Sequence, residues 1–135
     1  MSIDAGRVKY LESMDLASLA RRAHELLAKM TLGGEWIARL KVAVNRSSEA
    51  VEVEKARIVL SPAYRESGSN ETIRGAWLVD QRTEDAEYAR VLSLYRETVR
   101  DLESAEATLE ATIAGYKLVV TEIRLATSQL AFLSE

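Results

Sequence analysis

Hydrophobic side chains recur in alternating steps of four and three residues along the C-terminal part of the chain. The steps select Tyr88, Leu92, Tyr95, Val99, Leu102, Glu106, Leu109, Ile113, Tyr116, Val120, Ile123, Thr127 and Leu130. All of these residues are apolar or aromatic except Glu106 and Thr127. A repeat of 3.5 residues sustained over this length is typical of a long α-helix with a supercoiled partner seam. The pattern predicts one helix over about residues 84–133.

Two further helices are predicted in the first half of the chain, where apolar residues form stripes at helical spacing. The first covers about residues 14–31, and Ser13 or Asp15 can cap its N-terminus. The second covers about residues 35–60. Gly33-Gly34 stands between them and is expected to stop or bend the helix, because two adjacent glycines cost a helix about 2 kcal/mol relative to alanine.

A loop and a short helix are predicted between these helices and the long one. Ser61-Pro62 ends the second helix, because proline clashes with the preceding helical turn. Residues 61–70 form the predicted loop, and Asn70 caps a third helix over about residues 71–82. Thr83, which acidic residues follow, starts the last helix. No segment alternates as a strand does, so the predicted fold is a single all-α domain, a helical hairpin or bundle.

The composition agrees with a folded helical domain. The 135 residues suit one domain, and 47% hydrophobic with 29% charged residues is typical of globular chains. The absence of cysteine excludes disulfides and thiolate metal sites. No apolar run approaches the roughly 18 residues that cross a bilayer, and the N-terminal residues lack a signal-peptide core. We therefore expect a cytoplasmic protein without membrane contact.

Charge is unevenly distributed along the chain. Residues 39–82 carry eight basic and six acidic side chains, a balance of +2, whereas residues 83–135 carry five basic and ten acidic ones, a balance of −5. Nucleic-acid phosphates are bound mainly by Lys and Arg. The middle of the chain is therefore the better candidate for contact with phosphate, and the last helix the poorer one.

The length of the last helix predicts self-assembly. About 50 helical residues span roughly 75 Å, and the second helix, folded back, covers only about half of that length. The first helix could cover part of the remainder, so a monomeric bundle is the alternative. Near the C-terminus the side opposite the seam is apolar as well. The predicted oligomerisation residues are Leu102, Leu109, Ile113, Tyr116, Val120, Ile123 and Leu130 on the seam, and Leu118, Leu125 and Phe132 on the opposite side.

The positions that precede the seam residues also favour a wide packing face. They carry no charge and are small or apolar: Val91, Thr98, Ala105, Thr112, Val119, Ala126 and Leu133. A face of this width favours bundles or higher-order rings over a two-stranded seam. Glu106 interrupts the seam, so either an antiparallel or intramolecular partner offers Lys41, Arg46 or Lys55, or the seam opens locally to water.

The chain carries no enzyme signature. His24 is the single histidine, and neither a nucleophile nor a second metal ligand accompanies it. The glycines do not form a phosphate-binding motif, and the carboxylates lie at spacings typical of solvated helix faces. We therefore expect no cofactor, no metal, no small-molecule substrate and no catalysis.

Basic and aromatic residues gather around the predicted loop. Basic groups that follow a phosphate backbone and aromatic faces that stack on bases are what single-stranded nucleic acid requires. The candidate nucleic-acid-binding residues are Arg46, Lys55, Arg57, Tyr64, Arg65, Arg74 and Trp77. The alternative is that Tyr64 and Trp77 pack against the bundle while the arginines are simply solvated.

The layout of residues 35–133 resembles that of the UvsY-type recombination mediators of tailed phages and of related small helical phage proteins. The shared features are a basic helix end at Val53–Leu60, a loop at Ala63–Gly68, a short helix beginning near Thr72, and an acidic entry at Glu84–Tyr88 into a long heptad helix. The resemblance implies a ring-forming oligomer that binds single-stranded DNA and helps a RecA-like recombinase replace single-strand-binding protein.

By this resemblance, Lys55, Arg57, Tyr64, Arg65 and Arg74 would contact the DNA strand, and the long C-terminal helix would drive assembly. The leading hypothesis is a non-enzymatic, oligomeric DNA-binding accessory protein of phage homologous recombination, acting in the host cytoplasm. The alternative is a coiled-coil structural or adaptor protein that binds a protein partner through its heptad helix and needs no nucleic acid.

Overall fold

The computed structural model describes residues 16–134, and the regular structure in this part of the chain is entirely helical. The helices are α1 (Ala17–Leu60), α2 (Pro62–Glu66), α3 (Glu71–Glu84) and α4 (Ala86–Ser134). The predicted all-α fold with a long C-terminal helix is therefore confirmed. The predicted caps Ser13 and Asp15 lie outside the described residues.

Packing divides the chain into two compact units, and α1 and α4 contribute to both of them. The central unit comprises Ile37–Ser104, and the terminal unit comprises Met1–Trp36 together with Ala105–Glu135. None of the described helices is both long enough and apolar enough to cross a membrane.

The helix α1 continues through Gly33 and Gly34, so the expected stop between two separate helices does not occur. The buried and half-buried positions of α1 follow their own steps of four and three through this point, at Leu26, Met30, Gly33, Ile37 and Leu40. A Cβ atom at position 33 would lie 3.3 Å from Cδ1 of Leu109. The glycine therefore permits a close approach to α4 within the terminal unit, and this packing outweighs its poor helix propensity.

The central unit has its core where the end of α1 packs against the start of α4. Val51 and Ile58 from α1 and Tyr88 and Val91 from α4 form the buried cluster. The half-buried residues packed against it include Ala50, Trp77, Leu78, Leu92 and Tyr95. The helix α3 thus reaches the core through its own apolar side, as the spacing of its apolar residues requires.

The helix boundaries between α1 and α4 depart slightly from those expected. A short helix, α2, begins with Pro62 inside the predicted loop, because proline has the backbone angle of a first helical residue. Asn70 caps α3 as predicted, since its side chain accepts a hydrogen bond from the backbone N–H of Ile73 at 2.9 Å. Thr83 lies inside α3, and Asp85 precedes α4 as its cap.

The heptad face of α4 is the buried side of this helix. The seven predicted seam residues Leu102, Leu109, Ile113, Tyr116, Val120, Ile123 and Leu130 are all half-buried. The buried positions of α4 are the seam residue Tyr88 and three positions that precede seam residues, Val91, Thr98 and Val119. Glu106 is exposed and forms no ion pair among the described residues, so Lys41, Arg46 and Lys55 do not serve as intramolecular partners. Self-assembly through this helix stays a prediction.

Candidate nucleic-acid interface

All seven predicted nucleic-acid-binding residues lie in the central unit, but several are engaged in contacts within the protein. Arg57 forms ion pairs with Asp85, at 2.7 Å, and with Glu54. The hydrogen bond to Asp85, followed by that to Glu54, raises the pKa of the Arg57 guanidinium above its usual range. This side chain holds α1 to α4 and has two carboxylates as partners.

The other basic candidates differ in whether their side chains are already paired within the protein. Lys55 pairs with Glu52 at 3.2 Å on an exposed helix face. Arg74 is half-buried, and its Nη1 donates to the carbonyl oxygen of Gly68 at 3.4 Å. Arg46 and Arg65 are exposed and take part in no ion pair within residues 16–134. These last two are the predicted basic residues that keep their charge available to a partner.

The aromatic rings of Tyr64 and Trp77 pack against each other. Their ring centroids lie 6.0 Å apart with an interplanar angle of 52°, a tilted arrangement within the favourable range for aromatic pairs. Both residues are half-buried, and Trp77 also packs against the core of the central unit. This geometry favours the packing role over a pair of open platforms for bases.

An arginine-lined groove lies between the C-terminal part of α3 and the first turns of α4, and none of its lining residues is among the predicted nucleic-acid-binding residues. Its volume is about 550 Å³. It is lined by Val79, Arg82, Thr83, Tyr88, Ala89, Leu92, Ser93, Arg96 and Arg100. We call it the arginine groove, because it holds three arginines and three hydroxyls but no carboxylate.

The helical repeat explains how α4 supplies its side of the groove. Ala89, Ser93, Arg96 and Arg100 are spaced by four, three and four residues, which places them on one face of the helix. The small side chains of Ala89 and Ser93 leave room beside the two arginines. Arg82 comes from the last turns of α3, so the connection at Asp85 brings the third guanidinium to the same groove.

The three guanidinium groups lack acidic partners. None of Arg82, Arg96 and Arg100 forms an ion pair among the described residues. Nε of Arg82 is buried and has no hydrogen-bond acceptor. An unsatisfied buried donor costs about 1–3 kcal/mol, and an oxyanion that accepts from it removes this cost. Guanidinium groups match phosphate oxygens in geometry as well as in charge.

The net charges of whole segments do not indicate this groove. Residues 83–135 have a net charge of −5, and that sum includes Arg96 and Arg100. The signal available in the sequence was the spacing of Ala89, Ser93, Arg96 and Arg100, which places two arginines and no carboxylate at these positions of one helix face. Arg82 was counted in the basic middle segment but was not among the candidate site residues.

The described part of the chain shows no other arrangement suited to chemistry. Residues 16–134 contain no cluster of three or more His, Cys, Asp or Glu side chains that could hold a metal ion. His24 is exposed on α1.

Comparison with known proteins adds no family to this geometry. No protein-family model matches the chain, and no curated protein or solved structure matches it significantly.

Proposed function

We propose that this chain is a non-enzymatic, oligomeric accessory protein that binds single-stranded DNA. The observation that carries the proposal is the arginine groove, in which Arg82, Arg96 and Arg100 converge without a carboxylate. Lys and Arg contacts to phosphate supply most of the affinity for nucleic acid that is bound without regard to sequence. The groove is a better-supported contact for the strand than Arg57, whose charge is already paired with Asp85 and Glu54.

In the proposed mechanism, the DNA backbone runs along the arginine groove and its phosphates accept hydrogen bonds from the three guanidinium groups. The Ser93 and Thr83 side chains line the same groove and supply hydroxyls of the kind that contact phosphate oxygens. Arg65 and Arg46 are exposed elsewhere on the central unit and offer further basic groups to the strand. A flexible single strand can follow such separate contacts more easily than a duplex.

The net charge of −3 makes a single copy a weak ligand for DNA. Several copies in one assembly would present several grooves to one strand, and linked weak contacts raise the effective affinity by orders of magnitude. The sequence resemblance to phage recombination mediators supports this setting. Under it, the partners are a RecA-like recombinase and single-strand-binding protein, and the reaction served is homologous recombination.

A second function, that of a coiled-coil adaptor for a protein partner, is favoured by one specific observation. Leu118, Leu125 and Phe132 form an exposed apolar row on α4. Rows of this kind are typical of protein contact surfaces. The adaptor function predicts no salt-sensitive binding of oligonucleotides, so the same measurement separates the two functions.

The proposal is tested by titrating a fluorescein-labelled oligothymidylate with the protein over a range of salt concentrations, read by anisotropy. The wild-type protein is compared with Arg96→Ala/Arg100→Ala. Each phosphate contact on single strands contributes about 0.7 to the slope of log K against log salt, so the double variant should lower the slope by about 1.4.

The matched control is Arg39→Ala/Arg90→Ala, which removes the same charge from the central unit outside the groove. Arg39 is exposed, and Arg90 pairs with Glu87 at 3.1 Å. An equal loss of slope in the control would attribute binding to overall charge and overturn the groove as the site. Absence of binding by the wild-type protein would overturn the DNA function and favour the adaptor.

A further inference from the structure

The exposed side of α4 in the terminal unit carries an uncharged stripe with a second 3.5-residue repeat. Alternating steps of four and three from Ala107 select residues without charge as far as Phe132. They are Ala107, Ala111, Ala114, Leu118, Thr121, Leu125, Ser128 and Phe132, which we call the outer stripe. All eight residues are exposed, and Leu118, Leu125 and Phe132 expose 60%, 60% and 75% of their surface.

The outer stripe begins where the terminal unit begins. The same repeat continued toward the N-terminus falls on residues of the central unit, and three of them are charged: Arg90, Glu97 and Arg100. One helix thus changes from a charged outer face to an uncharged one at the boundary between the units. A heptad-spaced apolar row on a helix whose other side is already buried is typical of a second helix-packing surface.

We infer that a second copy of this chain covers the outer stripe, with the two α4 helices antiparallel and the two stripes fully overlapped. In this register each large side chain faces a smaller one, so the helices can interdigitate at short distance. The facing pairs are Ala107 with Phe132, Ala111 with Ser128, Ala114 with Leu125, and Leu118 with Thr121.

A parallel, in-register pair fits the stripe less well. It would place Phe132 on Phe132 and Leu125 on Leu125, while Ala114 would face only Ala114. Wide layers would then alternate with narrow ones along the same pair of helices, and the narrow layers would leave voids. Large residues of one stripe therefore face small residues of the other only when the two stripes run in opposite directions. A second copy supplies that complement over the full length of about 38 Å.

The stripe has two polar members, Thr121 and Ser128, and Thr121 can be covered without penalty. The hydroxyl of Thr121 donates to the carbonyl oxygen of Lys117 in its own helix at 2.9 Å. Since this hydroxyl already has a partner, its burial against Leu118 of the second copy leaves no unsatisfied donor.

The charges beside the stripe give the pairing a distinctive salt dependence. Glu110, Lys117 and Arg124 border one side of it, and Glu122 borders the other. The antiparallel register brings Lys117 near Arg124 of the second copy, a like-charge contact at the solvent-exposed rim that salt screens. Salt therefore strengthens this pairing. A parallel pair would instead place Lys117 opposite Glu122 of the second copy, and salt would weaken it.

This inference rests on the oligomeric part of the proposed function and is independent of DNA binding. Sedimentation equilibrium at about 50 mM and about 500 mM salt measures the dissociation constant of the pair. Leu118→Glu buries a charge in the interface and should raise that constant by about tenfold or more. Leu94→Glu is the matched control, since Leu94 lies on the same helix, 48% exposed, outside the stripe.

The outcomes separate the two proposals. Pairing that strengthens with salt, is lost in Leu118→Glu and is kept in Leu94→Glu and in Arg96→Ala/Arg100→Ala supports the outer stripe, whatever the DNA titration gives. A wild-type protein that remains monomeric overturns the inference, and so does an equal effect of the two leucine substitutions.

Orientation is tested by cross-linking, for which the chain is well suited because it contains no cysteine. The single variants Ala111→Cys and Ser128→Cys are mixed and treated with a short bismaleimide. The antiparallel register predicts a cross-link between the two variants and none when Ser128→Cys is treated alone. Cross-linking of Ser128→Cys to itself would overturn the antiparallel register, and pairing without either product would place the interface on another face.

Discussion

Arg57 and Asp85 join the end of α1 to the start of α4 through a hydrogen bond of 2.7 Å between Nη2 and Oδ1. The same Oδ1 atom accepts the backbone N–H of Tyr88 at 2.9 Å and so caps α4. One carboxylate therefore fixes both the beginning of the longest helix and its position against α1. Because α3 ends at Glu84, the placement of Arg82 beside α4 depends on the same residue.

The first prediction concerns acid stability. The hydrogen bond from Arg57, followed by that from the backbone of Tyr88, holds the pKa of Asp85 below its usual value. A lowered folded-state pKa means that Asp85 contributes stability above its unfolded value of about 3.9 and loses that contribution as the pH falls through the folded value.

We therefore expect the wild-type melting temperature to fall more steeply below about pH 4 than that of Asp85→Asn, which keeps a capping oxygen and does not titrate. Circular dichroism melts across the acid range provide the measurement. Parallel curves for the two proteins would mean that the Asp85 carboxylate contributes nothing beyond its cap.

The second prediction separates a structural arginine from a binding one. Arg57→Ala removes the partner of Asp85 and should lower the melting temperature while leaving the salt slope of DNA binding unchanged. Arg96→Ala should do the opposite, lowering the slope by about 0.7 with an unchanged melting temperature. Melts and anisotropy titrations of both variants provide the comparison. A lower slope in Arg57→Ala would return the DNA contact to the residues that the sequence indicated.

The buried face of α4 was predictable because the repeat of 3.5 residues encodes it directly. The sequence pattern identified the seam and the small or apolar positions beside it, and the structure buries Val91, Thr98 and Val119 at those adjacent positions. Periodicity is a property of consecutive residues, so it needs no knowledge of the partner. The outer row of Leu118, Leu125 and Phe132 was visible in the same way.

The sequence does not predict the continuity of α1, because the poor helix propensity of two adjacent glycines indicates a break. Whether the helix continues is decided by its packing against other segments. Met30, Gly33 and Ile37 keep one phase of the buried face across the supposed break. This unbroken spacing of buried positions on both sides of the glycines favours a single helix. The close contact with Leu109 comes from a segment more than 70 residues away, and neighbouring residues carry no sign of it.

The arginine groove was missed for a related reason. Arg82 belongs to α3, whereas Arg96 and Arg100 belong to a segment whose total charge is acidic. The net charge of a whole segment does not show the charge of one helix face. In addition, α3 and α4 come together only through the connection at Asp85. The pairing of Arg57 with Asp85 was equally hidden, since 28 residues separate them.

The third prediction concerns the core of the central unit. Ile58 is 3% exposed within the cluster of Val51, Tyr88 and Val91, whereas Val53 on the same helix is 64% exposed. Ile58→Ala should lower the free energy of unfolding by about 2–5 kcal/mol, because it removes buried methyl groups and leaves a cavity. Val53→Ala should change it by less than about 0.5 kcal/mol. Urea denaturation gives both values, and similar losses would contradict the assigned core.

The fourth prediction uses the two adjacent glycines of α1 as their own control. A Cβ atom at Gly34 meets no other atom within 4 Å, so Gly34→Ala gains helix propensity without a contact to disturb. It should stabilise the protein by about 0.5–1 kcal/mol.

In Gly33→Ala the same gain is opposed, because the new methyl group would lie 3.3 Å from Cδ1 of Leu109 in a half-buried contact. We expect this variant to be less stable than Gly34→Ala by about 1 kcal/mol. Urea denaturation of the two variants measures the difference, and Gly33→Ala/Leu109→Ala shows whether it comes from that contact. Equal stabilisation by both single substitutions would mean that α1 and α4 do not approach closely at position 33.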